Sequence, residues 1–235
     1  MIISSSDLWI DLAIDDLNSS RILYATKSFR NSYFLFQQSV EKANKAFGLK
    51  SGLLKVKDLE DVRHDQFKMY RRYAVKQRDR FNSKLGADLL PARGKENATA
   101  FSEMISVIDS LRDMNLLALG ESDLHDLLGL KDQIRISDEL IEKVKEMDID
   151  LDNEVMSLIT KLMLWMNDNM FIMIRLIICA FVTIKHSSKT RYPTADHNPI
   201  TFYTAEHPLM KVQPTFMKSL EEALSKLKTF EKLKY

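Results

Sequence analysis

Two His–Asp dipeptides, His64-Asp65 and His125-Asp126, and a dense run of cations interleaved with aromatic rings are the first candidates for chemistry in this sequence. Adjacent His and Asp side chains can share one divalent ion. Neither dipeptide is accompanied by the ordered upstream His and downstream Asp that would complete a metal-phosphohydrolase set, so no metal and no cofactor is expected. His125 instead follows Ser122 and Asp123 at a helix start, where Asp126 favours the helix dipole. The run from Arg63 to Lys84 holds Arg63, Lys68, Arg71, Arg72, Lys76 and Arg78 among Phe67, Tyr70, Tyr73 and Phe81. A nucleic-acid-binding helix has this make-up, with cations on phosphates and rings on bases. The rings at 67, 70 and 81 also fall on one helical face, as a core requires, so both readings stand. No phosphate-cradling Gly loop, hydrolase elbow or dinucleotide fingerprint is present.

These groups must be carried by helices. Ser6 is the expected N-cap of a first helix over about 7–27, where Leu8, Trp9, Leu12, Ile14, Leu17, Ile22 and Leu23 recur mostly at three- and four-residue steps. After a Ser-Phe-Arg-Asn turn, Tyr33 to Phe47 continue a second helix, which Gly48 and Gly52 close near residue 50. A long helix is expected from 153 to 185, apolar on nearly all sides and therefore central to the core. Leu162 to Ile184 is long enough to span a bilayer, but Asn167, Asp168, Asn169 and Arg175 interrupt it, which reads as a buried helix and predicts no membrane partner. Its many methionines read as packing. Four of the five prolines lie between Pro193 and Pro214, so 187–213 is expected to be a non-helical crossing before a last helix starting near Pro214.

Composition agrees. In 235 residues, 45% are hydrophobic and 29% charged, which excludes a disordered or fibrous chain. The 6 Gly and 5 Pro are too few for the frequent turns of a β-sandwich or barrel. A single cysteine, Cys179, excludes an internal disulfide and points to a reducing compartment. The start of the chain lacks a basic n-region and an unbroken apolar run, so a cytoplasmic location is expected. The net charge of +1 names no partner, but it conceals polarity: residues 63–95 carry ten basic groups against three acidic, and 103–154 carry fifteen acidic against five basic. Such halves can hold each other, steer an anion to the basic side, or simply face solvent.

Three stretches in order resemble the HEPN family, a helical nucleotide- and nucleic-acid-binding domain. They are Phe36-Gln37-Gln38-Ser39-Val40-Glu41-Lys42-Ala43-Asn44-Lys45-Ala46, then Arg63-His64-Asp65, and finally Thr190-Arg191-Tyr192-Pro193-Thr194-Ala195-Asp196 with Tyr203-Thr204-Ala205-Glu206 and the Leu220-Glu221-Glu222-Ala223-Leu224 helix. The resemblance implies an all-α, up-and-down helical bundle from residues 1–70 and 153–235. The stretch 71–152, basic then acidic, departs from the pattern and reads as an inserted helical subdomain.

Some members of the family are metal-independent endoribonucleases with an Arg-x4–6-His motif near this end, and Arg191 and His197 match that spacing. The resemblance therefore implies a catalytic pair. A guanidinium can grip the scissile phosphate, and an imidazole near neutrality can move a proton to or from the ribose 2′-hydroxyl or the leaving oxygen, with Asp196 or His186 assisting. Tyr192 and Pro193 after Arg191 depart from the polar, helix-start form of that motif. The competing reading has Arg191 paired with Asp196 and His197 as a loop residue, in a non-catalytic module that binds nucleotide, nucleic acid or protein. By resemblance the partners are RNA or nucleotide, a second copy in a homodimer, and a cognate antitoxin or nucleotidyltransferase, as in toxin–antitoxin and abortive-infection systems.

Overall fold

The structure is a computed structural model that describes residues 5–83, 94–114, 119–133, 153–186 and 188–231. The acidic run over 139–152 lies outside these residues. The helices are α1 (Ser6–Ala25), α2 (Phe29–Ser51), α3 (Leu59–Val62), α4 (Gln66–Asn82), α5 (Gly94–Asp113), α6 (Glu121–Gln133), α7 (Asn153–Ile184), α8 (Pro199–Phe202) and α9 (Pro208–Thr229). The fold is all-α.

Helices α1 and α2 form an antiparallel hairpin whose contacts record its register. Ser20 and Ser32 hydroxyls meet near the turn, Ser39 Oγ donates to the Ala13 carbonyl, Lys42 pairs with Asp16, and Lys50 reaches Asp7 at the far end. Helices α7 and α9 pack antiparallel through Cys179 beside the Phe216 carbonyl, Arg175 on Glu222 and Lys226 on Asp168. The Tyr33 hydroxyl joins the pairs by donating to the Val182 carbonyl at 2.7 Å, and the Arg21 guanidinium grips Glu221 with two 2.7 Å bonds. The result is an up-and-down four-helix bundle around fully buried Tyr33, Phe36, Phe47, Leu176 and Phe216. Helix α4 packs on α2 and α7, α5 lies along α4, and α6 lies on α7 and α9.

Several boundaries differ from the sequence expectations. Ser5, not Ser6, occupies the N-cap of α1, and its side chain makes no capping bond. The Ser28-to-Asn31 stretch is no free turn, because α2 already begins at Phe29. Gly52 does cap α2, with φ 79°, and the Leu54 N–H closes the end on the Gly48 carbonyl. Gly48 itself lies inside the helix. A Cβ there would come within 2.5 Å of Met69 Sδ and 2.8 Å of Leu54 Cγ, so this glycine lets α4 approach α2. The 187–213 stretch contains α8 and the start of α9, which begins six residues before Pro214. Pro214 has no N–H for the Met210 carbonyl, and the Tyr24 hydroxyl donates to that carbonyl instead, at 2.9 Å.

The long apolar helix is built into the protein. Thr160–Ile184 has the length and composition to cross a membrane, and 56% of its most apolar stretch is buried against other helices. Its Arg175 is also buried, on Glu222 and over the Phe171 ring at 3.5 Å.

Candidate nucleic-acid interface

Between α7 and α8 the chain turns back through 188–198, and this turn carries Arg191 and His197. Backbone bonds set its shape: the Arg191 and Tyr192 N–H groups donate to the Ser188 carbonyl, and Thr194 and His197 exchange bonds of 2.9 and 3.2 Å. Pro193, with no N–H and a fixed φ, fits this non-helical path. His197 is only 8% exposed, with its ring edge-on to Phe202 at 4.8 Å and its Nε2 2.9 Å from the Lys189 carbonyl. A carbonyl can only accept, so Nε2 carries the proton of the neutral ring and Nδ1 the lone pair. Arg191 is exposed, and its guanidinium lies over the Phe34 ring of α2 at 4.8 Å rather than on Asp196. The two side chains share one turn but rest on different supports, Arg191 on α2 and His197 on α8.

Behind the turn, His186 is buried with Nδ1 2.7 Å from the Tyr203 hydroxyl and its ring edge-on to Tyr33. Burial, with smaller contributions from His207, Lys189 and His197, lowers its pKa to about 3. At neutral pH it is an uncharged hydrogen-bonding group, and burial keeps the Tyr203 phenol protonated as well. The His186 carbonyl accepts from the Thr190 N–H of the turn at 3.1 Å, and its ring reaches His197 through Tyr203, whose ring lies 6.3 Å from that of His197.

The basic helix α4 is anchored by its rings. Phe67 and Tyr70 are fully buried, the Tyr70 hydroxyl donates to Asn44 at 2.6 Å, and Tyr73 meets Phe101 edge-on. The side chain of Phe81 lies outside the described residues. Several of the cations have acidic neighbours: Arg71 lies 2.9 Å from Asp109 of α5, Arg72 3.2 Å from Asp61, and Arg78 2.8 Å from Asp79. Lys68 donates to the Asp61 carbonyl, while Lys76 is exposed. Thus part of the charge polarity is used within the molecule, the acidic α5 meeting the basic α4. Arg63 has φ 44°, a strained value for a side-chain-bearing residue, and its Nε donates to the Glu60 carbonyl. It lines a crevice of about 470 Å³ with His64, Lys68, Arg112 and Lys185, where Arg112 is paired with Asp65. Among the described residues no three His, Cys, Asp or Glu side chains converge as metal ligands would.

The polar residues of α2 are buried or half-buried, and several tie elements together. Glu41, 6% exposed, accepts from Lys45 and from His64 Nδ1, each at 2.7 Å, while Lys42 reaches α1 and Asn44 holds Tyr70. Residues 6–64 match the family model of the HEPN domain. The matched stretch spans α1, α2 and α3. The match takes in the Gln-Gln to Lys-Ala stretch and ends at His64, the residue bonded to Glu41. No curated protein and no solved structure gives a match to the chain.

Sequence reasoning missed the surroundings of Arg191. Lys27, Arg30, Asn31, Ile200 and Tyr203 line a second crevice, of about 360 Å³, between the start of α2 and α8. Arg30 and Phe34 are four residues apart and so neighbours on one face of α2. That helical spacing is the signal in the sequence, and it shows only once α2 is seen to begin at Phe29.

Proposed function

We propose that this HEPN protein acts on RNA and cleaves it without a metal, with Arg191 binding the scissile phosphate and His197 moving the proton. The reading is supported above all by the hydrogen bond from His197 Nε2 to the Lys189 carbonyl, which holds the ring and leaves Nδ1 basic. Arg191, exposed on the Phe34 ring, keeps its guanidinium edge free to meet phosphate oxygens. The site belongs to a homodimer in which both protomers contribute, with the bundle of 1–70 and 153–235 as its scaffold and 71–152 as an insertion. A cognate antitoxin or nucleotidyltransferase is the protein partner.

A second reading, a module that binds nucleotide, nucleic acid or protein without cleavage, is favoured by the low exposure of His197. Incubation of the purified protein with total RNA in EDTA separates the two. Cleavage should fall at least 100-fold in Arg191→Ala, whose side chain is exposed, with the circular dichroism spectrum of the wild type retained. His197→Gln should behave alike. Equal cleavage in the wild type and both variants, or none in the wild type, refutes the catalytic reading.

A further inference from the structure

The crevice between α2 and α8 lies beside the proposed catalytic turn and has no part in the chemistry described so far. Exposed Lys27 and half-buried Arg30 line it, with Ser28, Phe29, Asn31, Ile200 and Tyr203, and none of these residues is acidic. Arg30 lies one helical turn before Phe34, the ring that carries Arg191. Tyr203 forms part of the crevice wall and also packs on His197. Two large side chains near these cations are largely open to solvent: Tyr192, 63% exposed, directly follows Arg191, and Ile200, 74% exposed, lines the crevice. Exposed rings beside a line of cations form the surface on which unpaired bases stack while their phosphates are held. A double helix, whose bases are already stacked, has no use for Tyr192.

Resting on the RNA-directed reading above, we propose that this crevice is the substrate track of the site and takes single-stranded RNA, with Lys27, Arg30 and Arg191 holding successive phosphates and Tyr192 stacking on a base. The strand runs along the first turns of α2 and reaches His197 across Tyr203. Selectivity for unpaired RNA then resides in the track, separately from the groups that break the bond.

The test measures fluorescence anisotropy of labelled 2′-O-methyl oligouridine, which binds but lacks the hydroxyl needed for cleavage, on the whole chain in EDTA. Lys27→Glu with Arg30→Glu should weaken binding at least tenfold and flatten the log–log salt dependence by about 1.4, the share of two phosphates on a single strand. Tyr192→Ala should weaken it about fivefold. A duplex competitor should displace the strand poorly. Unchanged binding in the Lys27/Arg30 variant overturns the track. Loss instead in Lys76→Glu with Arg80→Glu also overturns it and moves the strand to α4, with the RNA reading intact. A wild type that neither binds this strand nor cleaves RNA overturns both.

Discussion

His186 shows how one side chain can set the acid stability of the bundle. Burial holds its folded pKa at about 3, against about 6.5 in the unfolded chain. Between those values the unfolded state binds a proton that the folded state refuses, so stability falls as pH drops through 6.5 and continues falling towards 3. The expected slope from this group is about 1.4 kcal/mol per pH unit, and His207, also lowered by burial, adds to it in the same direction. Urea midpoints measured from pH 7 to 4.5 should decline steeply in the wild type and much less steeply in His186→Gln. Parallel curves would show that His186 does not carry the effect. His197 was visible in the sequence only as a spacing from Arg191. Its bond to Lys189 arises from how a proline-bearing turn folds back eight residues, which residue types alone do not encode.

Among the elements, periodicity located α1, α2 and α7 to within a few residues, and α9 apart from its start, because each buries a continuous apolar stripe against the others. It failed at prolines and glycines, whose effect depends on neighbours distant in sequence. Gly48 read as a stop, but its missing Cβ is needed by Met69 and Leu54 of later segments. Pro214 read as a start, yet α9 runs through it because Tyr24 of α1 supplies the lost donor to Met210. Tyr24→Phe should therefore cost about 1 to 2 kcal/mol in urea unfolding, leaving a buried carbonyl unsatisfied. A cost near zero would mean that solvent replaces the hydroxyl. Helices α5 and α6 were legible as charge and helix but not in their placement. The pairs Arg71 with Asp109 and Arg112 with Asp65 join residues 38 and 47 positions apart, a choice among many equivalent charges.

For the whole molecule, the proposed homodimer makes a prediction that no single-chain measurement can. If one protomer supplies Arg191 and the other His197, mixing Arg191→Ala with His197→Gln subunits after mild dissociation rebuilds one complete site in each mixed dimer. Activity should return to about a quarter of wild type, since about half the dimers are mixed and half their sites intact. No recovery, with mixed dimers verified by mass, would place both groups of each site on one chain. The same helix pairing that positions the turn also encloses Cys179, fully buried between α7 and α9. A thiol so enclosed reacts with a maleimide only while those helices are parted, so its labelling rate counts the openings of the native bundle. The chain thus contains its own clock for breathing motions, readable by mass spectrometry without introducing any probe and with RNA bound or absent.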